Sequence, residues 1–168
     1  MNRAELQAAQ GPLKDRYRSD AAAALVTLRA DGKLHEEQIA CSVSTGRALV
    51  EAGLHPATGG TGALACSGDM LLEALVACAG VTLRSVATSM ELDVSGSVHA
   101  EGDLDFRGTL GVDRGAPVGF TAIRLRFDLE SDADEEALAK LIELTERYCV
   151  VGQTLAAGVP VEFAYSTA

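Results

Sequence analysis

Two of the four cysteines are the residues of this chain most able to do chemistry. Cys78 lies deep inside an apolar run, Glu73-Ala-Leu-Val-Ala-Cys-Ala-Gly-Val-Thr-Leu-Arg84, and Cys149 lies where a second, amphipathic segment runs out. Some 70 residues separate them. A thiol becomes useful when its anion is stabilised and an oxidant reaches it. Around Cys78 the small side chains of Ala77, Ala79 and Gly80 leave space for another segment or a small substrate to approach. Cys149 is expected at a helix C-terminus, where the negative end of the dipole disfavours a thiolate, so it suits a resolving role better than a first attack. Brought together by the fold, the two thiols make a redox centre; kept apart, each is a small core residue.

The remaining reactive side chains give weaker signals. His55, in Gly53-Leu54-His55-Pro56, falls in a loop expected to wall a pocket, where it touches substrate or is bonded locally. Leu75, one turn before Cys78 on the same stripe, is the other residue expected to line that pocket. His35 and His99 fall in strand-like segments that face solvent. Cys41 and Cys66 complete the cysteines, and Cys66, only twelve residues before Cys78, is a candidate for an off-pathway disulfide. No C-x-x-C or H-x-x-x-H spacing exists, so neither a metal nor another cofactor is expected. Residues 60–68, GTGALACSG, lack the Gly-Lys-Ser/Thr ending of a phosphate loop.

Bulk properties narrow the function classes. A chain of 168 residues suits one compact domain. The apolar fraction is 48% but only 4% is aromatic, so the core is built from Leu, Val and Ala. A formal charge of -10 repels phosphate backbones, which argues against nucleic-acid partners. The longest apolar stretch, Ala74 to Leu83, is ten residues and too short to span a bilayer, and the polar first 20 residues have no signal-peptide core. The expected setting is a reducing cytoplasm, where disulfides are transient.

Positioning these thiols requires a particular set of elements. Residues 1–22 read as a polar arm, with any short helix broken at Gly11-Pro12, and residues 23–168 as one domain. Residues 24–28 predict a strand, Asp31-Gly32 a hairpin turn, Lys33–Ser44 the returning strand, Thr45-Gly46 a further turn and Ala48–Ala52 a short strand. Residues 53–68 are loop. Asp69 to about Ser89 predicts a buried helix, N-capped by Ser67. Strand pattern returns from Glu91 to Phe106 and is clearest in Gly119–Ser131, where Ile123, Leu125, Phe127 and Leu129 share a face. Asp132 and Glu135 suggest a capping box for an amphipathic helix carrying Leu138, Leu141, Ile142, Thr145 and Tyr148, with Glu136/Lys140 and Glu143/Arg147 pairs. A turn over Gly152–Ala157 and a last strand, Val159–Tyr165, end the chain. This order fits an α+β fold with antiparallel sheets around a long central helix.

Residues 67–83, SGDMLLEALVACAGVTL, and residues 144–161, LTERYCVVGQTLAAGVPV, together resemble the OsmC/Ohr family of thiol-dependent peroxidases. The first carries an acidic residue, a leucine run and a small-residue pair before cysteine. The second carries the family's Cys-Pro-Val-x-x-x-Leu pattern, with Val150 where proline is usual. The resemblance covers roughly residues 20–166. It implies an intertwined homodimer that reduces organic hydroperoxides or hydrogen peroxide, without a cofactor, at the expense of an external thiol or dithiol. By position Cys78 matches the peroxide-attacking cysteine and Cys149 the resolving one. The resemblance also implies an arginine held beside Cys78 by an acidic residue near the start of the central helix. Asp69 matches the acid, and Arg18 or Arg47 the arginine, with Arg16 nearby. The Gly-Gly-Arg hairpin of the organic-peroxide branch is absent, which points to a divergent branch. The alternative function is a non-catalytic protein using the same fold to hold a small apolar ligand.

Overall fold

The computed structural model describes residues 3–34, 41–43 and 52–167. The chain runs α1 (Arg3–Ser19), β1 (Leu25–Leu34), β2 (Cys41–Val43), β3 (Ala52–Gly53), β4 (Ala65–Cys66), α2 (Ser67–Ser89), β5 (Ser95–Asp105), the short α3 (Phe106–Thr109), β6 (Phe120–Glu130), α4 (Glu135–Tyr148) and α5 (Val150–Ala157). Four strands form an antiparallel sheet in the order β2-β1-β5-β6, and β3 pairs with β4 in parallel. The α+β class with an antiparallel sheet is thus as expected, with the small parallel pair added.

Helix α2 is the centre of the molecule. It packs against β1, β2 and β5 and is flanked by α4 and α5. Leu72, Val76 and Leu83 are fully buried and meet Val98 and Ala100 of β5 and Leu141 of α4 in one core. Each such side chain contributes about 1.5–3 kcal/mol by leaving water. Length and composition alone would let α2 cross a membrane, but these buried leucines and valines are those of a core helix. Its first helical residue is Ser67, so the cap is the extended Cys66 rather than Ser67. It ends in a Schellman turn: the Leu92 N–H reaches the Ala87 carbonyl (2.9 Å) and the Glu91 N–H reaches that of Thr88 (3.2 Å). Glu91 takes the left-handed conformation (φ 57°) usually given to glycine there.

Strand β6 shows the alternation expected of it, with Ile123, Leu125, Phe127 and Leu129 half-buried and their neighbours exposed. Opposite Ile123 stands Gly102, and a Cβ there would fall 2.4 Å from the Phe120 ring. A glycine is required because the ring occupies that volume.

Several expectations are corrected. Asp31-Gly32 is no turn: β1 runs through both to Leu34, held by continuous pairing with β5 from Leu25↔Asp105 to Lys33↔Ser97. The β1–β2 connection and the expected turn at Thr45-Gly46 lie outside the described residues, and of the Ala48–Ala52 strand only Ala52 is described, within β3. Helix α1 continues through Gly11-Pro12. The rest of the chain holds it there: Tyr17 is buried in the core, its hydroxyl donates to the Ala57 carbonyl (2.6 Å), and Gln10 Nε2 donates to that of Thr58 (3.1 Å). The α4 cap is Asp134, whose carboxylate accepts the Ala137 N–H (2.8 Å), not Asp132. On that helix Lys140 pairs with Glu143 (2.8 Å) rather than with Glu136. Residues 150–157 are a helix, not a turn, and residues 159–167 are exposed and, among the described residues, belong to no strand.

Candidate active site

Cys149 is the hinge between two helices. It is the C-cap of α4 and the N-cap of α5, with an extended backbone (φ -70°, ψ 102°) that breaks the run. Its sulfur accepts the Gly152 N–H at 3.3 Å. The next N–H along the same helix terminus, that of Val151, reaches Cys78 Sγ at 3.5 Å. Two residues with 70 between them therefore share the N-terminus of one helix, each thiol receiving a backbone donor. Both are free thiols, as is Cys66.

The position of Cys149 revises its expected electrostatics. It lies at a helix C-terminus, but equally at the N-terminus of α5, where the dipole favours an anion. Burial nevertheless dominates and pushes its thiol up, the neighbouring Cys78 thiol pushes the same way, and the N–H groups of Gly152 and Val151 oppose them. Cys149 is therefore held as the neutral thiol at neutral pH.

A cavity of about 610 Å³ opens beside Cys149, between β6 and the helices. Leu75 and Ala79 of α2, Phe120 and Phe127 of β6, Ile142 of α4 and Leu155 of α5 give it an apolar wall, with Glu146 and Gln153 among its polar groups. Cys149 is in that wall; Cys78, half-buried, is not. Leu75 lines this cavity and His55 does not.

His55 belongs to a second cluster. Its Nδ1 accepts the Ala57 N–H (3.0 Å), capping a short 3₁₀ turn, and its ring stacks on Phe106 at 5.0 Å. Phe106 is fixed in turn by Asp105, which accepts from the Arg107 backbone and guanidinium. Asp69 lies close enough to His55 to feel it: burial raises its carboxyl and His55 opposes that rise. Glu73 is raised by burial and then by Asp69. Cys78 lies nine positions after Asp69 on the helix, which is about 13 Å of rise and about two and a half turns, so the two side chains leave opposite faces. Asp69 therefore lies at the loop end of α2 and does not itself touch the thiol. Arg18 is exposed and pairs with Asp15 at 2.7 Å, so it is not brought to Asp69. Arg47 lies outside the described residues.

Sequence reading missed the N–H donors of Val151 and Gly152 and the apolar wall from β6. The alternation of β6 was the available signal for that wall.

The family model for OsmC-like proteins matches residues 60–164, a span that holds both cysteines, α2, β5, β6, α4 and α5. The chain belongs to the OsmC-like family. Among solved structures, this OsmC-like chain is similar to the crystal structure of an OsmC-like hydroperoxide resistance protein from Jannaschia sp. CCS1. The TM-score is 0.57 at 17% identity, covering 86% of this chain and 95% of that one. At that identity the likeness is one of fold. Among curated proteins none matches the sequence significantly.

Proposed function

We propose that this OsmC-like protein is a thiol peroxidase in which Cys78 attacks and Cys149 resolves. The observation that carries the reading is the convergence of the two free thiols on one helix N-terminus. The Cys78 thiolate, with the Val151 N–H donating to it, attacks the distal peroxide oxygen. The O–O bond breaks, leaving a sulfenic acid on Cys78 and releasing an alcohol or water after protonation. Cys149, the neutral neighbour, loses its proton as its sulfur displaces hydroxide from that sulfenic acid, so that water leaves and the disulfide forms. An external thiol or dithiol then returns both cysteines to the reduced state. Such a cycle suits a reducing compartment, the cytoplasm being the natural one. The family membership and the hydroperoxide-resistance role named for the Jannaschia protein support the same class of reaction.

The working unit on this reading is a homodimer. Met70, Leu71 and Val81 leave an apolar face on α2, each more than a third exposed. Val161, Phe163 and Tyr165 of the C-terminal segment are 74%, 96% and 93% exposed. Among the described strands, β6 lies at an edge of the sheet. A second copy supplies what the apolar face and the tail would bury.

Stopped-flow oxidation by cumene hydroperoxide and hydrogen peroxide, with mass spectrometry of wild type, Cys78→Ser and Cys149→Ser, tests the chemistry. Wild type gives a Cys78–Cys149 disulfide, Cys149→Ser stalls at the sulfenic acid and Cys78→Ser is inert. Oxidation no faster than that of a free small thiol removes the peroxidase. The second reading, a binding protein for a small apolar ligand, rests on the cavity of about 610 Å³ and would then stand.

A further inference from the structure

Of the two cysteines of the pair, Cys149 lines the cavity and Cys78 does not. Cys149 is buried as part of its wall, while Cys78 is half-buried and not among the lining residues. Thiol–disulfide exchange is an in-line displacement, so the incoming thiol must reach one sulfur from the side opposite the other. We propose, building on the peroxidase reading, that the external reductant attacks Cys149 through this cavity, which receives the carbon chain of a neutral thiol, while peroxide reaches Cys78 from outside it.

In the step, a thiolate R–S⁻ attacks Cys149 Sγ. The Cys78–Cys149 bond breaks, and its electron pair leaves on Cys78, where the Val151 N–H receives the charge. A mixed disulfide R–S–S–Cys149 remains. A second thiolate attacks the R sulfur, releases Cys149, which takes up a proton, and departs as R–S–S–R. Two thiols are oxidised and one protein disulfide is reduced.

Two further observations agree. Burial pushes the Cys149 thiol up, which disfavours its expulsion as a thiolate. The walls select the reductant. Phe120, Phe127, Ile142 and Leu155 are apolar, and Glu146, with a formal chain charge of -10 behind it, opposes an anionic thiol.

The test starts from a disulfide made with diamide, so that its outcome does not depend on peroxide reactivity. The oxidised protein is treated briefly with 6-mercaptohexanol, acid-quenched, alkylated with N-ethylmaleimide and mapped by peptide mass spectrometry. The proposal expects the hexanol adduct on Cys149 and maleimide on Cys78; the reverse overturns it, as does failure of diamide to link the pair. Reduction rates across 2-mercaptoethanol, 4-mercaptobutanol and 6-mercaptohexanol should climb by up to about four-fold per methylene that the cavity buries. Leu155→Trp, which fills the cavity, should flatten that climb, and 6-mercaptohexanoate should react more slowly than the alcohol. Should the adduct be too short-lived to trap, the series decides alone: rates independent of chain length in wild type overturn the proposal. Loss of peroxide reactivity with the adduct still on Cys149 would remove the peroxidase and leave this regiochemistry intact.

Discussion

Gly152→Ala separates the structural from the chemical role of the helix that joins the two thiols. Gly152 sits in the first turn of α5 without a positive φ, so alanine is compatible with its backbone. Replacing a helical glycine by alanine stabilises by up to about 1 kcal/mol, which for a chain of this size raises Tm by roughly 2–4 °C. The added Cβ would lie 3.3 Å from Cys149 Sγ, 3.5 Å from its Cβ and 3.7 Å from Leu75 Cδ1. The last two are ordinary contacts. The first is tight, so the sulfur must give by a few tenths of an ångström. Misplacing a reacting atom by about 1 Å costs on the order of 10²-fold, so a shift of a few tenths implies a roughly four-fold slower closure of the disulfide.

Two assays are needed: thermal unfolding of the reduced protein, and the rate at which diamide links Cys78 to Cys149. Gly11→Ala is the control. It lies within α1 and its added Cβ meets nothing within 4 Å, so it should raise Tm alone. The variant at 152 should raise Tm by no more than the control does and slow closure. If Gly152→Ala leaves closure at the wild-type rate, the Cys149 sulfur is not where the Gly152 N–H bond puts it, and the shared helix terminus fails as the basis of the site.

The other expectations concern the supports of the site. Tyr17→Phe removes the hydroxyl bonded to Ala57 and should cost about 1 kcal/mol in denaturant unfolding; a neutral effect would mean that α1 does not hold the loop. Arg107 holds the Asp105 carboxyl below its ordinary 3.8, so the stabilisation is present above that pH and is lost as pH falls through the folded value. Asp105→Asn should therefore be destabilising at pH 7, with the deficit closing at low pH; a pH-independent deficit would refute the linkage. Asp69 runs the other way: burial raises its carboxyl above 3.8, so the folded state is favoured below that pH and loses stability as pH rises through the folded value. Asp69→Asn should be more stable than wild type at pH 7 and equal to it near pH 3, as read by urea midpoints. Val150→Pro should be tolerated and stabilising by about 0.4–1 kcal/mol through the unfolded state. Position 150 opens α5, its side chain is 71% exposed, and Cys149 already has the extended backbone that a residue before proline needs, so a loss of Tm would contradict the assigned helix start.

How much of this was legible depended on whether a segment's local pattern and its long-range partners agreed. α2, β6 and α4 are strongly periodic and pack along the faces their sequences mark, so reading and structure coincide. Asp31-Gly32 carries a turn signal, but nine successive residues of β1 pair with β5, and the ladder overrides it. Gly11-Pro12 breaks a helix in isolation, yet Gln10 and Tyr17 anchor α1 on either side. The tail was read as a strand from its alternation. A strand also needs a neighbour, and among the described residues 159–167 pair with none.

The second helix terminus at Cys149 is the feature that sequence could least reveal. Val150, Val151 and Gly152 are poor helix formers, and a residue that ends α4 gives no local sign that it also begins α5. Tertiary contacts decide it: Leu155 packs against the core, and the Cys149 sulfur accepts the Gly152 N–H and so caps the helix it starts. That one backbone break does three things at once. It stops α4, it turns Cys149 into the cavity wall, and it presents consecutive N–H groups to two different sulfurs. Asp69 lies at the His55 end of α2 and Arg18 pairs with Asp15, while Arg47, the other arginine expected beside Cys78, lies outside the described residues. Within the described residues, the donor the structure gives to Cys78 is a peptide N–H from α5. Any lesion that unwinds the first turn of that helix should therefore disable both thiols together, while a lesion in the His55–Asp69 cluster should change stability and leave the pair able to close.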